Sequence, residues 1–299
     1  MRNSTARKVY EYCKSNGNGF LITGDAGFGV WDDFKRDLPS QYLNTGINEQ
    51  ATIGLAAGMA LNGHKVFLYN IIPFVLYRCY EQVRNDICYQ DLPIVIIGIG
   101  SGITYAPAGM SHYAVEDIAL ARTMPNLAIF SPSDPIQSRK AIEYATTANT
   151  PVYIRISKAG EPILFDEQID ITKLNYLNKE GDVAILFHGS ISDEVIAAAE
   201  VLEKEGIKIA LISSAKLNID DFSEYETIFN RYKKVFVVEE HFENGGLGTI
   251  LQAAGFAPVK LAIKNHYLHE IGNAKFLRAL YGIDSSGIAK KVKEEYARS

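Results

Sequence analysis

The octapeptide PIVIIGIG, residues 93–100, carries an unbroken apolar run from Ile94 to Ile99 between a proline and a glycine. Its length suits a strand, and its lack of polar alternation means that both faces of that strand are covered. Outward from it, similar short runs recur at 20–23 (FLIT), 42–45 (YLNT), 65–69 (KVFLY), 127–131 (LAIFS) and 151–157 (PVYIRIS). Amphipathic stretches at 48–62, 72–89, 115–123 and 134–147 separate them and read as helices. Strands alternating with helices in this way form a parallel sheet joined by crossover helices.

Residues 159–180 break the rhythm, and a second α/β series follows. Its strands read VAILFHG (183–189), IKIALISS (207–214), KVFVVEEH (234–241) and VKLAIK (259–264), with helices near 192–204, 222–232, 246–254, 273–281 and 284–296. The expected fold is therefore α/β, with two doubly wound domains at 1–165 and 178–299.

The 299 residues carry 35 acidic and 30 basic side chains, a formal net charge of −5. With 47% hydrophobic and 22% charged residues the composition is that of a globular protein. A chain this long buries roughly three quarters of its unfolded surface and needs no metal or disulfide to hold it. The mild acidity argues against nucleic-acid partners and gives no attraction to an anionic membrane. Cys13, Cys79 and Cys88 are odd in number and far apart, so they suggest neither a disulfide framework nor a zinc site. The opening MRNSTARKVYEYCKS lacks an apolar signal core, and no run approaches the ~20 residues of a membrane span. The expectation is a cytoplasmic, soluble protein.

Three segments carry candidate chemistry. The first is Thr45-Gly46-Ile47-Asn48-Glu49-Gln50, leading into ATIGLAAGMALNG. Gly46 suits a turn, Asn48 a helix cap, and Glu49 the first helical turn. A carboxylate there stands at a strand's carboxyl end, where open α/β sheets place their ligands. Ala51, Gly54, Ala57 and Gly58 give the helix a smooth face for close packing against another backbone. The second segment, 69–86, has Pro73 at a helix start and Phe74 and Tyr77 three apart, with Arg78 and Tyr80 following. It reads either as an aromatic core face or as an apolar wall for a flat heterocycle. The third, 98–112, is a Gly-rich loop ending at His112, a residue able to carry a proton near neutral pH. Asp134-Pro135-Ile136-Gln137 reads as a capping box, and Gly245-Gly246-Leu247-Gly248 as a strand-to-helix turn, weak evidence for a phosphate site.

Together GINEQ (46–50), RCYEQVRND (78–86), GITYAPAGMSHYAVEDIALARTMPNLAIFSPSDP (102–135) and VEEHFENGGLG (238–248) resemble the transketolase family, in its pyrimidine-binding and C-terminal domains. The match runs through nearly the whole chain in the right order. The resemblance implies thiamine diphosphate as cofactor, with Glu49 on N1′ of its aminopyrimidine. A carboxyl group in an apolar pocket can share a proton with a ring nitrogen. That sharing would activate the 4′-amino group to remove the C2 proton. Phe74 and Tyr77 resemble the aromatics stacked on the pyrimidine, with Arg78 on the same helix. His112 matches the family's loop histidine, which would bond or protonate the developing alkoxide. Arg7, Asp25 and Arg155, with His112, are implied as substrate contacts, the two arginines holding a phosphate.

The family also needs a module that binds diphosphate and Mg2+ (or Ca2+) through a G-D-G motif and a later asparagine. Gly24-Asp25-Ala26-Gly27 with Asn48 imitates it only superficially, because Asn48 abuts Glu49. The implied partner is thus a separate N-terminal transketolase-like subunit carrying that module, with self-association about a two-fold axis into a homodimer or heterotetramer. Transketolases usually have a histidine where this chain has Gly100 and an aspartate where it has Ala108. The reaction implied is transfer of a two-carbon ketol unit between sugars or sugar phosphates. Alternatives are a deoxyxylulose-phosphate-synthase-like enzyme, the β subunit of a 2-oxo-acid dehydrogenase, and a non-catalytic subunit that kept the fold.

Overall fold

The computed structural model describes residues 1–158 and 160–297. In the first domain α1 (Arg2–Ser15) is followed by β1 (Gly19–Thr23), α2 (Asp32–Asp37), β2 (Tyr42–Asn44), α3 (Glu49–Leu61) and β3 (Lys65–Ile71). A helical segment then runs through α4 (Tyr80–Gln82) to β4 (Val95–Ile99), α5 (Asp117–Ala121), β5 (Ala128–Phe130), α6 (Pro135–Thr147) and β6 (Val152–Ile156). All six strands are parallel, in the order β2-β1-β3-β4-β6-β5. Every residue of β4 and β6 is buried, which is why their sequences show no polar alternation.

The second domain comprises β7 (Asn175–Asn178), β8 (Val183–Phe187), α7 (Ser192–Lys204), β9 (Ile209–Ser213), α8 (Ser223–Arg231), β10 (Lys234–Phe242), α9 (Leu247–Ala253), β11 (Val259–Ile263), α10 (Ala274–Leu280) and α11 (Ser285–Tyr296). Its sheet order is β11-β10-β8-β9-β7, parallel except for β7, which pairs antiparallel with β9. That strand falls within the stretch read as a linker and begins three residues before the expected boundary at 178. Its NYLN sequence is short, polar at both ends and on a sheet edge, so it carries no apolar run to read.

Helix α1 also went unread. Thr5, Ala6, Val9 and Cys13 are buried at helical spacing and bring the helix onto α6. The stretch 72–89 is helical as expected, but with wide i→i+5 turns at Pro73–Tyr77 and Val83–Cys88. Asp134 caps α6, its carboxylate accepting from Gln137 N at 2.7 Å, but Gln137 Oε1 accepts from Ser133 N at 2.8 Å, one residue before the cap, so only half of the expected capping box forms.

The domains are joined by backbone and side-chain bonds. Ser131 N donates to Ala215 O at 2.7 Å, Leu217 N to Ile129 O at 2.9 Å, and Gly189 N to Ser131 O at 3.1 Å. Ile103 and Ala106 of the Gly-rich loop, with Tyr113 and Val115 just after it, pack into the core of the second domain with Phe187 and Phe236. The loop's position is thereby set by both domains.

Candidate active site

Glu49 is the first residue of α3 and is only 7% exposed. The turn before it is built as expected: Gly46 has φ +66° and its N–H donates to Asn44 Oδ1 at 2.8 Å. The expected cap is not. Asn48 stands at the N-cap without a side-chain cap bond, and Thr52 Oγ1 donates to Asn48 O instead, at 2.7 Å. The Glu49 carboxylate lies against the carboxyl end of β3, where Asn70 Nδ2 reaches Oε1 at 3.4 Å. Its Oε2 accepts from Arg78 Nη1 at 2.8 Å.

Arg78 belongs to the wide-turned helix, and this accounts for its place. Widening an α-helix brings i and i+4 closer in azimuth and moves i+3 away. The Arg78 guanidinium accordingly lies over the Phe74 ring, 4.4 Å from its centroid. The Phe74 ring also meets His112 edge-on, at 5.2 Å and 71° between ring planes. Glu49, Arg78, Phe74 and His112 therefore form one continuous cluster. Ser111 Oγ lies 2.9 Å from His112 Nδ1.

Tyr77, three residues on from Phe74, is half-buried like it. Its hydroxyl donates to Glu116 Oε2 at 3.1 Å and accepts from Glu116 N at 3.2 Å. Burial, with Asp117 and Glu116 nearby, pushes that phenol well above its ordinary value.

Two expected phosphate contacts are elsewhere. Arg155 is 1% exposed and lies within the core. Its Nε donates to Asp117 Oδ2 at 2.7 Å, Nη2 to Ala114 O at 3.0 Å, and Nη1 to Ser131 Oγ at 3.2 Å. A guanidinium held by three groups and sealed from water is a structural cation, not a substrate contact. Arg7 is exposed on the outside of α1, paired with Glu11 at 3.0 Å, and makes none of the cluster's contacts. Asp25 is exposed just beyond the carboxyl end of β1.

Sequence reasoning missed three residues. Asn70 was hidden as the one polar side chain near the end of an apolar strand. Lys158, two residues past β6, lies over the Tyr105 ring at 5.7 Å. Arg2 acts on the Tyr69 and Tyr105 hydroxyls, drawing their pKa values down against a larger upward push from burial. Its Nε is buried and finds no hydrogen-bond partner among the described residues.

The glycine turn after β10 holds an anion, but an internal one. The Glu239 carboxylate accepts from Leu247 N at 2.7 Å and Gly248 N at 3.0 Å, taking the α9 N-terminus that a phosphate would need. Burial opposes its charge, yet His188 and the helix amides outweigh that and hold the carboxyl below the usual range.

The cluster fits the pyrimidine end of thiamine diphosphate: a buried carboxylate, a stacking ring and a histidine meet at strand ends. Among the described residues no group of three or more His, Cys, Asp or Glu side chains is placed to hold a metal ion.

A parallel six-stranded domain with a buried glutamate at a helix start, locked to a second α/β domain, defines the pyrimidine-binding and C-terminal portion of a transketolase-type protein. Residues 1–160 match the family model of the transketolase pyrimidine-binding domain, and residues 172–288 that of the transketolase C-terminal domain. The chain belongs to the transketolase family and corresponds to its C-terminal subunit. It is 33% identical over 266 residues to an apulose-4-phosphate transketolase subunit from Actinobacillus succinogenes, covering 85% of each chain. It is 30% identical over 302 residues to the like-named subunit from Phocaeicola vulgatus, covering 98% of this chain and 96% of the relative. A solved structure described as a split-gene transketolase, an inactive β4 tetramer, superposes with a TM-score of 0.87 at 28% identity, covering 98% of this chain and 97% of the other.

Proposed function

We propose that this chain is the C-terminal half of a split, cytoplasmic transketolase that moves a two-carbon ketol unit between phosphorylated sugars, with thiamine diphosphate as cofactor. The observation that carries the reading is Glu49, buried at the start of α3 and held by Arg78 and Asn70 beside the Phe74 ring. When bound, the cofactor supplies the carbon nucleophile that takes up the two-carbon unit. Glu49 would accept the bond from the pyrimidine N1′ side, and Phe74 would wall the ring. His112, a histidine against that wall, would donate to the substrate oxygen as charge develops there. Arg2 and Lys158, the cations around Tyr105, are better placed for a substrate phosphate than Arg7 and Arg155.

The diphosphate and its Mg2+ fall to an N-terminal partner subunit. Purified alone, the chain should bind thiamine diphosphate more weakly than millimolar and turn over no substrate. Calorimetric titration with cofactor and magnesium tests this, and micromolar binding to the isolated chain would refute the split-subunit reading.

The α3 surface supports assembly about a two-fold axis. Ala51, Gly54, Leu55 and Gly58 are exposed, and a Cβ built at Gly54 or Gly58 meets no atom within 4 Å. Ala57, expected on that face, lies in the core instead. Nothing inside the chain requires the two glycines, whereas a closely packed second backbone would. Gly58→Leu should leave the fold intact and reduce the oligomer mass seen by light scattering at micromolar concentration. An unchanged mass with full activity beside the partner would place α3 away from any interface.

A further inference from the structure

Gly100 directly follows β4 with φ +91°, and a Cβ built there would collide with Cδ2 and Cε2 of Tyr105. The Tyr105 ring therefore takes the volume that a side chain from the strand end would fill. It is half-buried and touches both ends of the proposed substrate path. On one side it meets His112 edge-on at a centroid distance of 6.3 Å. On the other, Lys158 Nζ stands over its face at 5.7 Å, and Arg2 acts on its hydroxyl. The backbone that carries the ring is fixed. Ala108 N donates to Tyr105 O at 2.8 Å, and the flanking Ile103 and Ala106 are packed into the second domain's core.

We propose that Tyr105 determines specificity by limiting the length of the sugar chain that fits between the reacting carbonyl at His112 and a phosphate at Lys158 and Arg2. This rests on the ketol-transfer reading above. Each carbon added between the carbonyl and the phosphate brings the chain further against the ring. A hydrophobic wall discriminates by a modest factor per added carbon, so the selection is graded.

The test uses the complex with the partner subunit, hydroxypyruvate as donor, and glyceraldehyde 3-phosphate, erythrose 4-phosphate and ribose 5-phosphate as acceptors. In the wild type kcat/KM should fall with length. In Tyr105→Ala the ratio for ribose 5-phosphate over glyceraldehyde 3-phosphate should rise at least tenfold, mainly through KM. Tyr105→Phe, which keeps the ring, should hold the wild-type ratio. The same three phosphates are titrated calorimetrically into each complex, so length selection is read without turnover. If selection in binding shifts in Tyr105→Ala while no protein shows ketol transfer, Tyr105 keeps its role and the reaction assignment falls. Tyr105 is overturned by an unmoved ratio in a properly assembled Tyr105→Ala complex, by an equal shift in Tyr105→Phe, or by wild-type binding that ignores length.

Discussion

Glu49→Gln should fold, assemble with the partner subunit and lose about a hundred- to a thousandfold in kcat, the scale at which removal of one preorganised catalytic group is felt. The fold has little reason to respond. The side chain keeps its shape, Thr52 rather than Asn48 secures the start of α3, and one amide oxygen remains to accept from Arg78 or Asn70. The chemistry has every reason to respond, because an amide carries no negative charge to share a proton with the pyrimidine. Its NH2 group would also point donors toward a guanidinium and an amide that both donate already. The measurement is exchange of the C2 proton of thiamine diphosphate bound to the assembled complex, beside steady-state turnover. Unchanged exchange would remove Glu49 from the assignment even if turnover fell for another reason.

Much of this site is legible in the residues. At Glu49 a glycine turn, a helix start and a strand end coincide within five residues, a pattern that a first-turn acid favoured by the helix dipole also explains, so it is the family resemblance that singles it out. His112 ends the Gly-rich loop after the most apolar strand, which equally suits an ordinary loop histidine, and its role too comes from the resemblance. What sequence spacing cannot supply is the winding of the helix between them. An i, i+4 pair is drawn closer where the turns are wide, so Arg78 comes over the Phe74 ring, a contact the spacing alone did not show. Strand parity causes a similar error at the cations. Arg155 lies inside a strand whose side chains are buried on both faces, whereas Lys158 is past the strand's end and reaches the loop. The edge strand Asn175–Asn178 was illegible for the opposite reason: four residues with polar ends carry no periodic signal.

Removing the Arg155 cation should cost about 3–5 kcal/mol of stability, because it leaves Asp117 buried and uncompensated. Asp117 is fully buried, and its Oδ2 accepts from both Arg155 Nε and Tyr153 OH at 2.7 Å, while its Oδ1 has no hydrogen-bond partner among the described residues. In Arg155→Met the tyrosine alone remains to stabilise the carboxylate. Burial by itself would lower the Arg155 pKa, but Asp117 outweighs it, so the guanidinium stays charged as the pair requires. The change also cuts the contact from Arg155 to Ser131, whose hydroxyl continues to His188 of the second domain at 2.9 Å. The cost should therefore appear in both domains' unfolding, as a lower urea midpoint in a denaturation curve followed by circular dichroism. Arg155→Met combined with Asp117→Leu should recover part of the loss, since an apolar pair of similar volume leaves no buried charge. The same variants separate structure from substrate binding. A structural cation gives a falling midpoint with KM for a phosphorylated donor unchanged in the folded fraction. A phosphate-binding cation gives a raised KM at an unchanged midpoint, and that result would return Arg155 to the active site.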